Sequence, residues 1–208
     1  MVNSVLDANP LPESVPVKGS AEIPRALHDL FATRATSRVR CASSQSGKDV
    51  DMDTSCLMEA IDAARESWEY AVGLVQEDRR LWRAAPSAWS LKDIIAHVAW
   101  HDDQMIEVAE TRILAGSPWW TLSTDIRNLK IFEKHRDTEF EEIVQFAAGA
   151  YSKMRTAVAA LPDEDLNDAA RFADMPKDWI PWRLFASNTY EHYLRHIGQI
   201  RRLANGAS

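Results

Sequence analysis

Cysteine is scarce in this chain: of 208 residues only Cys41 and Cys56 are cysteines. Their separation matches neither the ladder of a disulfide scaffold nor the paired thiolates of a zinc site, and it is read as fitting a reducing cytosol. Glycine is also scarce, with seven in the chain and none clustered, which excludes a glycine-rich phosphate loop. No run approaches the roughly 18 apolar residues of a membrane span, and residues 1–20 lack the basic and apolar regions of a signal peptide. A cytoplasmic protein with no membrane partner is expected. Basic charge is in deficit too. The net charge is −7, and residues 1–51 carry equal numbers of acidic and basic side chains, so residues 52–208 hold all of the excess. A surface that acidic is a poor match for a phosphate backbone, so nucleic acid is set aside as a partner.

The first 51 residues are mostly Pro, Ser, Ala, Val and scattered charge without helical or strand periodicity, the composition of a disordered leader. Arg34, Arg38 and Arg40, in a stretch free of acids, give part of it the composition of a transit peptide, but far from Met1; a translation start at Met52 is the alternative. Residues 52–208 then form the folded domain. Leu57, Ile61, Ala64, Trp68, Ala71 and Val75 recur at spacings of four and three, the stripe of an amphipathic helix, with Pro86 beyond its end. Ser90 and Asp93 are placed to form a capping box for a second helix. Its core face is Leu91, Ile94, Ile95, Val98, Met105, Ala109 and Ile113, closed by Gly116 and Pro118. After a connector with a short helix over 126–132, a third stripe of Phe140, Val144, Ala147, Tyr151, Met154, Val158 and Leu161 runs to Pro162. A last helix is predicted over 181–204 with Trp182, Ala186, Tyr190, Tyr193, Ile197 and Ile200 inward. Four long helices and no convincing strand predict an all-α, up-and-down four-helix bundle.

Histidine is the residue that carries chemistry here. His192 and His196 are four apart on the last helix, so they lie about 6 Å apart along the axis and only about 40° around it. Both flank the apolar arc, where a residue facing a cleft between helices belongs. His97 flanks the arc of the second helix in the same way. Three neutral imidazoles meeting between two helices make a facial N3 site for a divalent transition metal, with positions left for water or substrate. The bland account is that each ring satisfies a backbone carbonyl or water. His101, one turn after His97, lies nearer the centre of the core face and is either a fourth ligand or a residue behind the ligands. His97-Val98-Ala99-Trp100-His101 lacks the glutamate of the HExxH zinc-protease pattern. His28 and His135 are read as solvated.

The segments Trp89-Ser90-Leu91-Lys92-Asp93-Ile94-Ile95-Ala96-His97 and Tyr190-Glu191-His192-Tyr193-Leu194-Arg195-His196-Ile197-Gly198-Gln199-Ile200 resemble the DinB-like (YfiT-like) superfamily of four-helix proteins. The resemblance spans roughly residues 55–205. It implies that His97, His192 and His196 bind a divalent metal, nickel or zinc and possibly iron, and that His101 stands outside the common triad. The superfamily holds several chemistries, including hydrolases, S-transferases that use low-molecular-weight thiols, and proteins protecting against reactive molecules. It fits a homodimer and a stress-response role as well.

An N3 site with open positions lowers the pKa of a bound water or thiol and polarises an electrophile, which leads to hydrolysis or thiol transfer. No Ser-His-Asp or Cys-His arrangement competes with it. Asp102, on the apolar arc, is either the carboxylate that receives an imidazole N–H or a residue facing water at a loose bundle end, whereas Glu191 points to the surface. Trp89, Trp119, Trp120, Trp179 and Trp182 fall at helix starts or in connectors, where they wall an apolar pocket or merely seal helix ends. The expectation is a metal-dependent hydrolase or thiol S-transferase acting on a small electrophilic or apolar molecule. Its rivals are a non-catalytic bundle that sequesters a small molecule and a structural helical homodimer.

Overall fold

The computed structural model describes residues 51–85, 87–114 and 117–206. The expected leader, with His28 and Cys41, and the helix stops at Pro86 and Gly116 lie outside them. Seven α-helices occur among the described residues. Helix α1, Thr54–Gly73, starts where Asp53 accepts the Cys56 N–H at 2.7 Å, and it buries the predicted stripe from Leu57 to Ala71. Cys56 is disulfide-bonded. The spacing argument addressed multi-bridge scaffolds and thiolate zinc sites, and a single link falls outside it.

Helix α2, Leu91–Thr111, is the central element, and 16 of its 21 residues are buried. Its capping box forms as predicted, with Arg83 adding an ion pair to Asp93 at 2.7 Å. It ends earlier than predicted. Arg112 takes the left-handed conformation at φ 56°, its carbonyl accepts from Ala173 at 2.7 Å, and Ile113 turns outward to 38% exposure.

Helices α3, Thr124–His135, and α4, Phe140–Ala159, follow. Lys92 Nζ donates to the carbonyls of Arg136 and Thr138 at 2.6 and 2.8 Å, which ties their junction to α2. His135 closes α3 and stacks on Phe146, so it is half-buried and not solvated. On α4 the buried residue is Ile143, while Val144 is 41% exposed. The two neighbours flank one arc, and periodicity alone does not choose between them. A short α5, Asp163–Asn167, was not foreseen.

The predicted last helix is two helices, α6, Pro181–Asn188, and α7, Tyr190–Asn205, broken at Thr189 (φ −120°, ψ −102°). The Thr189 hydroxyl donates to the Phe185 carbonyl at 2.6 Å, taking the acceptor that the Thr189 N–H would use in a continuous helix. α2 packs most broadly on α4, α1 packs on α7, and α3 lies against α2 outside the four-helix core. The all-α bundle stands as read. No helix among the described residues is long and apolar enough to cross a membrane.

Candidate metal centre

Between α2 and the α6–α7 break four imidazoles converge. His97, His101, His192 and His196 are each under 9% exposed. One ring nitrogen from each of His97, His101 and His192 lies within 4.8 Å of the others, an arrangement that can hold a metal ion, and no other such group occurs among the described residues. His97 Nε2 is 2.9 Å from His192 Nε2, which is 3.0 Å from His196 Nε2. The group that can hold an ion thus contains His97 and His192 of the predicted triad and takes His101 as its third member, with His196 beside His192.

Hydrogen bonding fixes part of the tautomer pattern. The Asn188 amide donates to the Leu184 carbonyl at 2.9 Å, which leaves its Oδ1, 2.8 Å from His101 Nδ1, as an acceptor. His101 Nδ1 therefore carries the proton, and its Nε2 holds a lone pair. His196 Nδ1 faces Gln199 Oε1 at 2.5 Å, so its Nε2 is likewise a bare acceptor turned toward the cluster. His97 and His192 have buried Nδ1 atoms with no partner among the described residues. The Nε2 atoms of His101 and His196 so offer lone pairs within the cluster, the form in which an imidazole binds a cation. Burial drives all four rings below the usual imidazole pKa, His101 to about 3, which keeps them in the neutral form that ligates. An all-nitrogen donor set suits nickel, zinc or iron and not a hard cation such as magnesium, so these residues fit the implied metal.

Asp102 is fully buried, as one of its two readings required, but it does not meet an imidazole. Tyr193 Oη donates to its Oδ1 at 2.6 Å and Arg65 Nη1 stands 3.9 Å from its Oδ2. Burial raises the Asp102 carboxyl to about 7. Tyr193 is thereby turned away from the histidines, and Glu191 is exposed as expected. Gln104 Oε1 accepts the Ser117 N–H at 2.9 Å and so anchors the turn that carries Trp119 and Trp120. Trp89 packs 4.8 Å from His97 and Trp120 5.5 Å from His101, while Trp100, absent from the predicted wall, lies 5.1 Å from Trp120. Trp179 and Trp182 pack against the core.

The family model of the DinB superfamily matches residues 60–200. An uncharacterised protein from Escherichia coli UTI89 is similar in structure, with TM-score 0.58 and 14% identity over 75% of this chain and 96% of that one. So is the colibactin self-resistance protein ClbS in complex with a dsDNA, with TM-score 0.60 and 11% identity over 73% of this chain and 95% of that one. No curated protein matches. The exclusion of nucleic acid is corrected here, because a protein of this fold has been solved with DNA. Net charge sums the whole chain, whereas binding answers to the local field. At the imidazoles that field is positive, since Arg127 and Arg195 both lower the basicity of His97 and His101.

Proposed function

The chain belongs to the DinB superfamily, and on that footing we propose that it is a metal-dependent hydrolase or low-molecular-weight-thiol S-transferase acting on a small electrophilic or apolar molecule. His97, His192 and His196 hold the ion, which is nickel, zinc or iron, and the functional unit is residues 52–208. The observation that carries this reading is the meeting of buried, neutral imidazoles whose protons are drawn outward by Asn188 and Gln199. His101 is either a fourth ligand or a ring behind the other three, and its Nδ1 proton is held away from the cluster in both cases. The ion supplies Lewis acidity toward a water or thiol and the electrophile. The protein holds the rings in one tautomer, excludes bulk water from them, and offers the faces of Trp89 and Trp120 to an apolar substrate. No serine or cysteine nucleophile stands in the cluster, so the attacking group comes from solvent or a thiol cosubstrate. A protein loaded with nickel or zinc is to be assayed for consumption of monochlorobimane with and without glutathione or cysteine. Acceleration that vanishes on chelation supports thiol transfer, and acceleration without thiol supports hydrolysis. No acceleration under any loading defeats both.

A second reading draws on the similar fold of a self-resistance protein solved with dsDNA: a protective bundle that works beside nucleic acid. Salt-dependent binding of a duplex by the metal-free protein would favour it.

A further inference from the structure

Beside the imidazole cluster, Arg127 is a charged residue with no counterion among the described residues. Arg127 lies in the first turn of α3. Its Nε is buried with no hydrogen-bond partner among the described residues, where the side chain's one polar contact is a long one, Nη2 to Thr124 Oγ1 at 3.5 Å. No acid among the described residues forms an ion pair with it. The guanidinium carbon sits 5.0 Å over the Trp120 ring, and that ring is 5.5 Å from His101. The shared contact with Trp120 places it on the side of α3 that faces the cluster.

A half-buried guanidinium without a partner is costly unless something neutralises it. The nearby groups make the field worse, because Lys130 stands 6.0 Å over Trp119 and Arg195 also adds positive charge at the rings. Resting on the metal-centre reading above, we propose that Arg127 recognises the carboxylate of a small carboxylic acid whose apolar body lies on Trp120 and whose reactive part reaches the imidazoles. The planar guanidinium fork matches a carboxylate with two parallel N–H bonds. The Trp120 face and the buried imidazoles beside it suit a small molecule with an apolar body better than a duplex.

The test uses calorimetric titration of the full chain with benzoate and its neutral counterpart benzamide, in the parent, R127Q and R127K, with metal content measured on every sample. The expected result is that the parent prefers benzoate and that R127Q weakens benzoate about 10- to 100-fold while leaving benzamide, thermal midpoint and metal content unchanged. R127K should restore part of the benzoate affinity. A parent that does not distinguish the two probes, or an R127Q protein that binds benzoate as the parent does, overturns the proposal. So does an R127Q protein that loses only duplex DNA binding. If no sample holds metal but the benzoate preference still depends on Arg127, the metal-centre reading fails and the carboxylate site stands.

Discussion

Helices α2 and α7 carry two buried polar groups one residue apart, and they are built on opposite plans. Asp102 and Tyr193 close on each other at 2.6 Å with Arg65 beside them, while Tyr151 and Arg155 extend the chain to Asp62 at 2.8 Å each. Each of those pairs has a donor facing an acceptor, and only Asp102 Oδ2 lacks a hydrogen bond, with the Arg65 charge beside it. His101 and His192, the sequence neighbours of those two residues, face the other way into the imidazole cluster, where the Nδ1 atoms of His97 and His192 have no partner among the described residues. A set of polar atoms that converge without satisfying one another is poor design for stability and good design for a ligand. The stability role and the binding role are thus separated by a single step along each helix.

That separation can be broken from either side. The largest effect is expected from His192→Ala/His196→Ala, which should reduce metal affinity by more than about 100-fold while the metal-free protein keeps its thermal midpoint, as read by elemental analysis and calorimetry. Tyr193→Phe should do the reverse. It leaves the Asp102 carboxyl buried without its donor and costs about 1–3 kcal/mol in urea unfolding, with metal content unchanged. Acid should also divide the two groups in metal-free protein. His101 titrates near 3 when folded and 6.5 when unfolded, so the unfolded chain takes up protons first, and its contribution is complete above about pH 6.5 and lost as pH falls. Asp102 runs the other way: raised to about 7 from 3.8, it contributes below pH 3.8 and loses that contribution as pH rises toward 7. His101→Gln should therefore flatten the acid limb of the stability profile, measured by unfolding between pH 4 and 7. The smallest effect is expected from Arg155→Gln, since the Asp62 pair is half exposed and worth no more than about 1 kcal/mol.

Much of this was legible in the sequence. Stripes such as Leu57 to Ala71, the Ser90–Asp93 box and the HxxxH pair are local patterns, and local patterns predict helices and the faces they bury. What stayed hidden depends on distant partners. The break at Thr189 turns on a hydroxyl competing for the Phe185 carbonyl, and a threonine within a helical stripe does not announce that competition. His101 was ambiguous because its assignment rests on Asn188, a residue 87 positions away that only the break presents to it. Asp102 had an inward and a solvent-facing reading, and its actual partners come from α1 and α7, so no spacing along α2 reveals them. Arg127 lay in a segment read as connector, and its lack of a counterion is a property of the packed structure.

Elemental analysis of untagged protein beside the His192→Ala/His196→Ala variant tests the central claim most directly. About one equivalent of nickel, zinc or iron in the parent and almost none in a folded variant is the predicted result. Equally low metal in both, with no uptake of added metal by the folded parent, would contradict the account and reduce the imidazole cluster to packing.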